Sequence, residues 1–218
     1  GYFSAVDASL LSALAIGLLL GVRHATDADH VVAVTAIASS ERSIGRALRI
    51  GGAWGIGHST TLFLVGGIIV LFGLTVPPRV GLAFEMLVAL MLIGIGAMTL
   101  SGRQVAQPSS YRRPIAVGFV HGLAGSAFVA LLVLAAIPGW ASQLAYLGLF
   151  GLGTIVGMAG ITAAIALPAT LASHRFTRMR HGLQIASGVA SIAFGLFLAH
   201  RVGVVDGLFA ATPVWEPR

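Results

Sequence analysis

Apolar runs recur along this chain with only short polar stretches between them. Each is long enough to cross a bilayer, whose hydrocarbon core takes about 20 helical residues. Of 218 residues, 57% are hydrophobic and 9% charged, against about 25% charged in a soluble domain. Mean hydropathy is +0.95. The pattern predicts an all-α, polytopic helical membrane protein with one membrane domain over residues 1–218. Six transmembrane segments are expected, roughly at 9–39, 50–75, 81–101, 114–137, 143–172 and 183–201.

The formal charge of +6 is a topology signal rather than a nucleic-acid footprint, because the arginines punctuate the apolar runs. Arg42, Arg46 and Arg49 follow the first segment, Arg103, Arg112 and Arg113 the third, and Arg175, Arg178 and Arg180 the fifth. The opposite side holds only Arg79, Arg201 and Arg218. Nine against three is a positive-inside bias, which predicts those three loops in the cytoplasm and both termini outside. The Pro77-Pro78 and Pro138-Gly139-Trp140 turns suit the outer side. With no Cys, disulfides and thiolate metal sites are excluded. No cleavable signal with a basic start is visible, and the first residue, a glycine, leaves room for a segment upstream.

The first segment is too long for one perpendicular helix: its thirty-odd residues would reach roughly 45–50 Å, against a core of about 30 Å. It must tilt, project or break. A broken first helix is expected, with Gly21, just before the polar cluster, as the candidate point, since discontinuous helices are tolerated where they line a cavity. The chain also appears twice over. Gly21-Val22-Arg23-His24 matches Gly118-Phe119-Val120-His121, Trp54-Gly55-Ile56-Gly57 matches Phe150-Gly151-Leu152-Gly153, and Glu85 falls opposite Gln184. The offsets are 97, 96 and 99 residues, so a 3+3 repeat is expected, about 9–101 and 114–201. An odd number of crossings per half makes the halves inverted in the membrane.

Inside the first segment, His24, Asp27, Asp29 and His30 place four metal-capable side chains within seven residues. Ionisable groups at membrane depth are costly and mark ion or substrate pathways. Further polar islands are His58, Ser59 and Thr60 in the second segment, Glu85 in the third, and His121 with Ser126 in the fourth. Buried among apolar helices, these groups need one another and are expected to converge on one cavity. His174, His181 and His200 read as solvated or interfacial. Imidazoles and carboxylates without sulfur suit a borderline divalent ion such as nickel, cobalt or zinc. At about 100° per residue, His24, Asp27 and His30 share one helical face and Asp29 points away, unless the helix unwinds.

At these residues the chain resembles the nickel/cobalt transporters. Arg23-His24-Ala25 followed by Asp27-Ala28-Asp29-His30-Val31 is similar to that family's signature, whose core maps onto His24, Asp29 and His30. Gly57-His58-Ser59-Thr60 resembles the second motif. Other members usually carry a helix before the signature and a later Asp-Thr-Ala-Thr-Glu run. Here the signature lies on the first expected segment, and the later positions read His121-Gly-Leu-Ala-Gly-Ser126 or Gly151-Leu-Gly-Thr154. The match is therefore closer to the short, six-span permease branch related to urease-accessory nickel uptake proteins. The resemblance implies secondary transport of nickel or cobalt across the cytoplasmic membrane. Exporters of these metals often carry long His-rich cytoplasmic loops. The loops here are short and hold only His174 and His181, so uptake is the expected direction. The resemblance makes His24, Asp29 and His30 central, with His58 assisting. Asp27, which the spacing favours, becomes a further ligand or a support. Arg23 is a counter-charge or interface anchor, since a guanidinium repels a cation.

The competing readings are efflux of the same metals, proton-coupled transport of another divalent ion through His121 or Glu85, and a rhomboid-type intramembrane serine protease. For the protease, Gly125-Ser126 lacks the glycine that should follow, and a Ser/His dyad gives no reason for Asp27 and Asp29. No His-Glu-x-x-His zinc protease motif and no phosphate-binding Gly-Lys-Ser/Thr loop occurs. The expectation is a non-enzyme with no permanent cofactor, carrying Ni2+ or Co2+ as cargo. Its partners are the ion and the lipid bilayer, not nucleic acid, with a metallochaperone and a homo-oligomer left open.

Overall fold

The computed structural model describes residues 2–38, 41, 43–102, 110–123, 133–134, 136–171 and 177–215. Their regular structure is helical: α1 (Tyr2–His24), α2 (Ala28–Ala38), α3 (Ile44–Phe72), α4 (Pro78–Leu100), α5 (Arg112–His121), α6 (Trp140–Leu171) and α7 (Thr177–His200), the last continuing into a π-helical turn, Arg201–Val205. Among the described residues, four stretches are long and apolar enough to cross a membrane: Ile44–Phe72, Pro78–Leu100, Trp140–Pro168 and His181–Val205. This is a multi-pass helical membrane protein. In lipid a helix satisfies its own backbone, so the local signals lie at the ends. The Ser43 hydroxyl accepts from the Arg46 N–H at the start of α3, and Gly73 closes it at φ 60°. Pro78 opens α4, where its missing N–H costs nothing. Gly139, at φ 83°, precedes Trp140.

The first segment is broken, but not at Gly21. The helix stops at His24 and restarts at Ala28. Thr26 and Asp27 N–H groups bond back three residues, to the Arg23 and His24 carbonyls at 2.8 and 3.1 Å, and the Thr26 hydroxyl also donates to the Arg23 carbonyl, at 2.6 Å. Short polar side chains that bond locally compete with helical continuation. Gly21 serves close packing instead: a methyl built on it would fall on the Phe150 carbonyl of α6. In the expected fourth segment, 114–137, α5 is a helix of ten residues ending at His121, and residues 124–132 and 135 lie outside those described.

The helices cross through glycines, the usual device where backbones must approach in lipid. On α1 and α6, Gly21 faces the Phe150 carbonyl and Gly153 the Leu18 carbonyl. On α5 and α3, Gly118 faces the Trp54 carbonyl and Gly57 the Ile115 carbonyl. Where α4 crosses α7, a methyl on Gly96 would lie 2.6 Å from the Gly188 carbonyl and one on Gly195 2.8 Å from the Ala89 carbonyl. The Ser191 hydroxyl donates to the Leu92 carbonyl at 2.7 Å, buried in that crossing. Ser191→Ala is expected to cost about 1 kcal/mol, the usual worth of a hydrogen bond, read as a lower melting temperature in detergent.

Helices α3 and α6 pack along each other at the centre, with α1 on α6 and α5 on α3; α2 touches α4, α6 and α7. The core around α2 holds Ala33, Val34 and Ala38 against Trp54, Val88, Leu92 and Met158. Beyond α7 the chain folds back over the start of α4. Arg79 donates to the Ala210 carbonyl at 3.1 Å, and the Trp215 indole donates to Glu85 at 2.8 Å.

Candidate metal centre

The break in the first segment sets the centre. His24 ends α1, Asp27 closes the link, Asp29 and His30 occupy the first turn of α2, His58 comes from the middle of α3, and His121 ends α5. All four histidines are buried, His30 and His121 completely. The C-terminal ends of α1 and α5 both arrive here. The partial negative charge of a helix C-terminus favours a cation, and Asp29 offsets the positive start of α2.

The side chains form a connected set. His24 Nδ1 lies 2.9 Å from an Asp27 carboxylate oxygen, and its Nε2 lies 3.0 Å from His58 Nε2. Asp29 bridges the other side, 2.8 Å from His121 Nε2 and 3.1 Å from His30 Nδ1. The His30 ring sits among the other three, with centroids 4.6 Å from His24, 5.0 Å from His58 and 4.4 Å from His121. His30 Nε2, His58 Nδ1 and His121 Nδ1 lack hydrogen-bond partners among the described residues, and His30 Nδ1 has only its 3.1 Å contact with Asp29. Buried imidazole nitrogens normally find a partner, and an ion supplies one.

Among the described residues, two groups of three potential donors result: His24, His30 and His58, and Asp29, His30 and His121, each with ligand atoms within 4.8 Å of one another. Metal–nitrogen bonds of about 2.0–2.1 Å put neighbouring donors of one ion roughly 2.9–3.3 Å apart. The 3.0 Å between His24 and His58 already falls in that range. Hydrogen bonding of one ring nitrogen to a carboxylate, as Asp27 does for His24, orients an imidazole ligand and raises its basicity.

The remaining expected residues go elsewhere. The Ser59 hydroxyl donates to the Gly151 carbonyl at 2.9 Å, tying α3 to α6. Thr60 is exposed and bonds its own helix at Ile56. Glu85 accepts from Trp215 and belongs to neither donor group. Ser126 and His174 lie outside the described residues. His181, His200 and Arg23 are exposed. Sequence reasoning missed the aromatic walls: Phe150 stands 5.4 Å from His24, and Trp54 stands 5.7 Å from both His30 and His121. Their glycine-flanked matching positions were the available signal.

Fold and site together define a polytopic helical membrane protein with a histidine–aspartate cluster at a broken helix. No protein-family model matches the chain, and no solved structure does either. The chain is 31% identical over 219 residues to the urease accessory protein UreH of Bacillus sp. (strain TB-90), spanning 92% of this chain and 96% of that one. It belongs to the urease accessory protein UreH family. It is also 25% identical over 200 residues to the chloroplast protein FOR GROWTH AND FERTILITY 2 of Arabidopsis thaliana, over 83% of this chain and 54% of that one. With FOR GROWTH AND FERTILITY 1 of the same plant it shares 25% identity over 225 residues, 88% of this chain and 60% of the relative.

Proposed function

We propose that this chain is a permease, not an enzyme, that takes up Ni2+ or Co2+ across the cytoplasmic membrane by secondary transport. The ion passes through His24, Asp29, His30, His58 and His121, with Asp27 orienting His24. The observation that carries the reading is the meeting of four buried imidazoles and Asp29 from three separate parts of the chain, with the potential ligand atoms of each donor group within 4.8 Å of one another. A nitrogen-rich, sulfur-free set favours borderline divalent ions over magnesium or calcium. The motif resemblance to the nickel/cobalt transporters and the kinship with a urease accessory protein support the same cargo.

The proposed architecture is six spans in two inverted repeats, about 9–101 and 114–201, with both termini outside. The glycine crossings support it. Residues Leu18 and Gly21 of one crossing correspond, 97 positions on, to Ile115 and Gly118 of the other, while Phe150 and Gly153 correspond, 96 positions back, to Trp54 and Gly57. Between α4 and α7 the Gly96–Gly188 and Ala89–Gly195 contacts exchange under an offset of 99. A two-fold relation between halves produces such reciprocal pairs, and in transporters a site at the repeat interface goes with it.

The test is nickel-dependent thermal stabilisation of the purified protein. An ion at a hundredfold its dissociation constant adds about 2.7 kcal/mol of stability. The wild type is expected to show this rise with nickel or cobalt and not with magnesium. His30→Ala, the residue common to both donor groups, is expected to remove it; an unchanged rise in that variant sinks the proposed site.

A further inference from the structure

His30 belongs to both donor groups. Its ring is fully buried, Nδ1 lies 3.1 Å from Asp29, Nε2 has no hydrogen-bond partner among the described residues, and the other three imidazoles surround it. An imidazole carries nitrogens on different edges of one ring, so a single side chain can serve two adjacent ion positions. We infer that the pathway contains two overlapping positions sharing His30, and that the ion passes between them by exchanging ligands around that ring. One position is all imidazole: His24, His30 and His58. The other is Asp29, His30 and His121. The inference rests on the reading of the chain as a metal permease and adds an order of events within its site.

The two positions differ in chemistry. Three imidazoles select a borderline ion over those that prefer oxygen. Exchanging two imidazoles for His121 and a carboxylate makes a different and less selective set. Conduction requires binding strong enough to admit the ion and divided enough to release it. Two dications this close would repel strongly, so one ion occupies the pair at a time. The Asp27 carboxylate, 38% exposed, lies outside His24 and marks the approach to the all-imidazole position.

The matching of the two halves explains why the positions are unlike. His121 corresponds to His24 and faces Trp54 as His24 faces Phe150. The position corresponding to His58 is Thr154, whose hydroxyl donates to the Phe150 carbonyl at 2.9 Å. The second half therefore lacks a counterpart for His58, and His121 instead meets Asp29 and His30 of the first half.

The experiment uses purified full-length chain. It measures equilibrium Ni2+ binding, counts imidazole ligands by X-ray absorption, and follows Ni2+ uptake into proteoliposomes. His121→Ala is expected to bind one Ni2+ within a few-fold of wild type, with three imidazoles retained, while uptake falls at least about tenfold. His121→Asn, which keeps a polar side chain, is expected to behave alike if folding of the alanine variant is poor. Loss of binding in both variants as complete as in His30→Ala would mean a single position and overturn the inference. Wild-type uptake in either variant would make His121 a packing residue and overturn it equally. A wild-type protein that binds neither nickel nor cobalt would remove the permease reading itself, together with this one.

Discussion

His30→Ala is expected to abolish nickel binding and uptake together, lowering affinity by roughly 100-fold or more, since losing even a supporting hydrogen bond at a metal site costs 10–100-fold. No other residue belongs to both donor groups. Its replacement also leaves a cavity between three imidazoles that are otherwise in ring contact. Calorimetric titration with Ni2+ and uptake into proteoliposomes both report the loss. His30→Gln separates the two contributions: it nearly fills the space without restoring imidazole ligation, so its melting temperature should recover while binding does not. Nickel binding by a well-folded glutamine variant at wild-type strength would count against metal ligation by His30.

Gly118→Leu is the second change with a large expected effect. A methyl group on Gly118 would land on the Trp54 carbonyl and lie 2.9 Å from the His58 backbone nitrogen. Neither is a flexible side-chain end, so α5 and α3 must separate. Inserting extra carbons into a packed interior costs about 1–3 kcal/mol, and a leucine against backbone should reach the top of that range or exceed it. The same separation would carry His121 away from Asp29 and His30, so uptake should fall with stability. Gly94 and Gly148 also lie on helices but have open space where a side chain would go. Gly94→Leu and Gly148→Leu are the matched controls, expected to melt within about 0.5 kcal/mol of wild type, as surface substitutions do. Equal losses in all three proteins, read by thermal unfolding in detergent, would show that the crossing is not tight.

The metal-capable residues were legible because their chemistry is out of place. His24, Asp27, Asp29, His30 and His58 interrupt apolar sequence, and His121 stands 97 positions after His24. Helical periodicity misled at one point. It set Asp29 opposite His24 and His30, which holds only for an unbroken helix. With the chain breaking between His24 and Ala28, Asp29 turns to His30 and His121, and Asp27 turns to the outer nitrogen of His24. Gly21 looked like the break because it lies just before the polar cluster, yet its missing side chain is used for contact with α6. Glu85 looked like an intramembrane acid in search of a partner. The indole that meets it lies 130 residues away on the folded-back end of the chain, a pairing that local sequence cannot anticipate.

By itself the sequence determined the solvent and the chemistry. Runs of apolar residues with few charges fold as helices in lipid, and isolated histidines and aspartates there must meet something that binds them. Only the tertiary structure decided which of them meet. Contacts of α1 with α6 and of α5 with α3 depend on how closely glycine-lined backbones approach, and the partner of each imidazole depends on where the first segment breaks. Both are properties of helices packed together: a hydrogen bond or a shared ion forms over about 3 Å, and residues far apart in the chain come within that distance only when the crossings are in place.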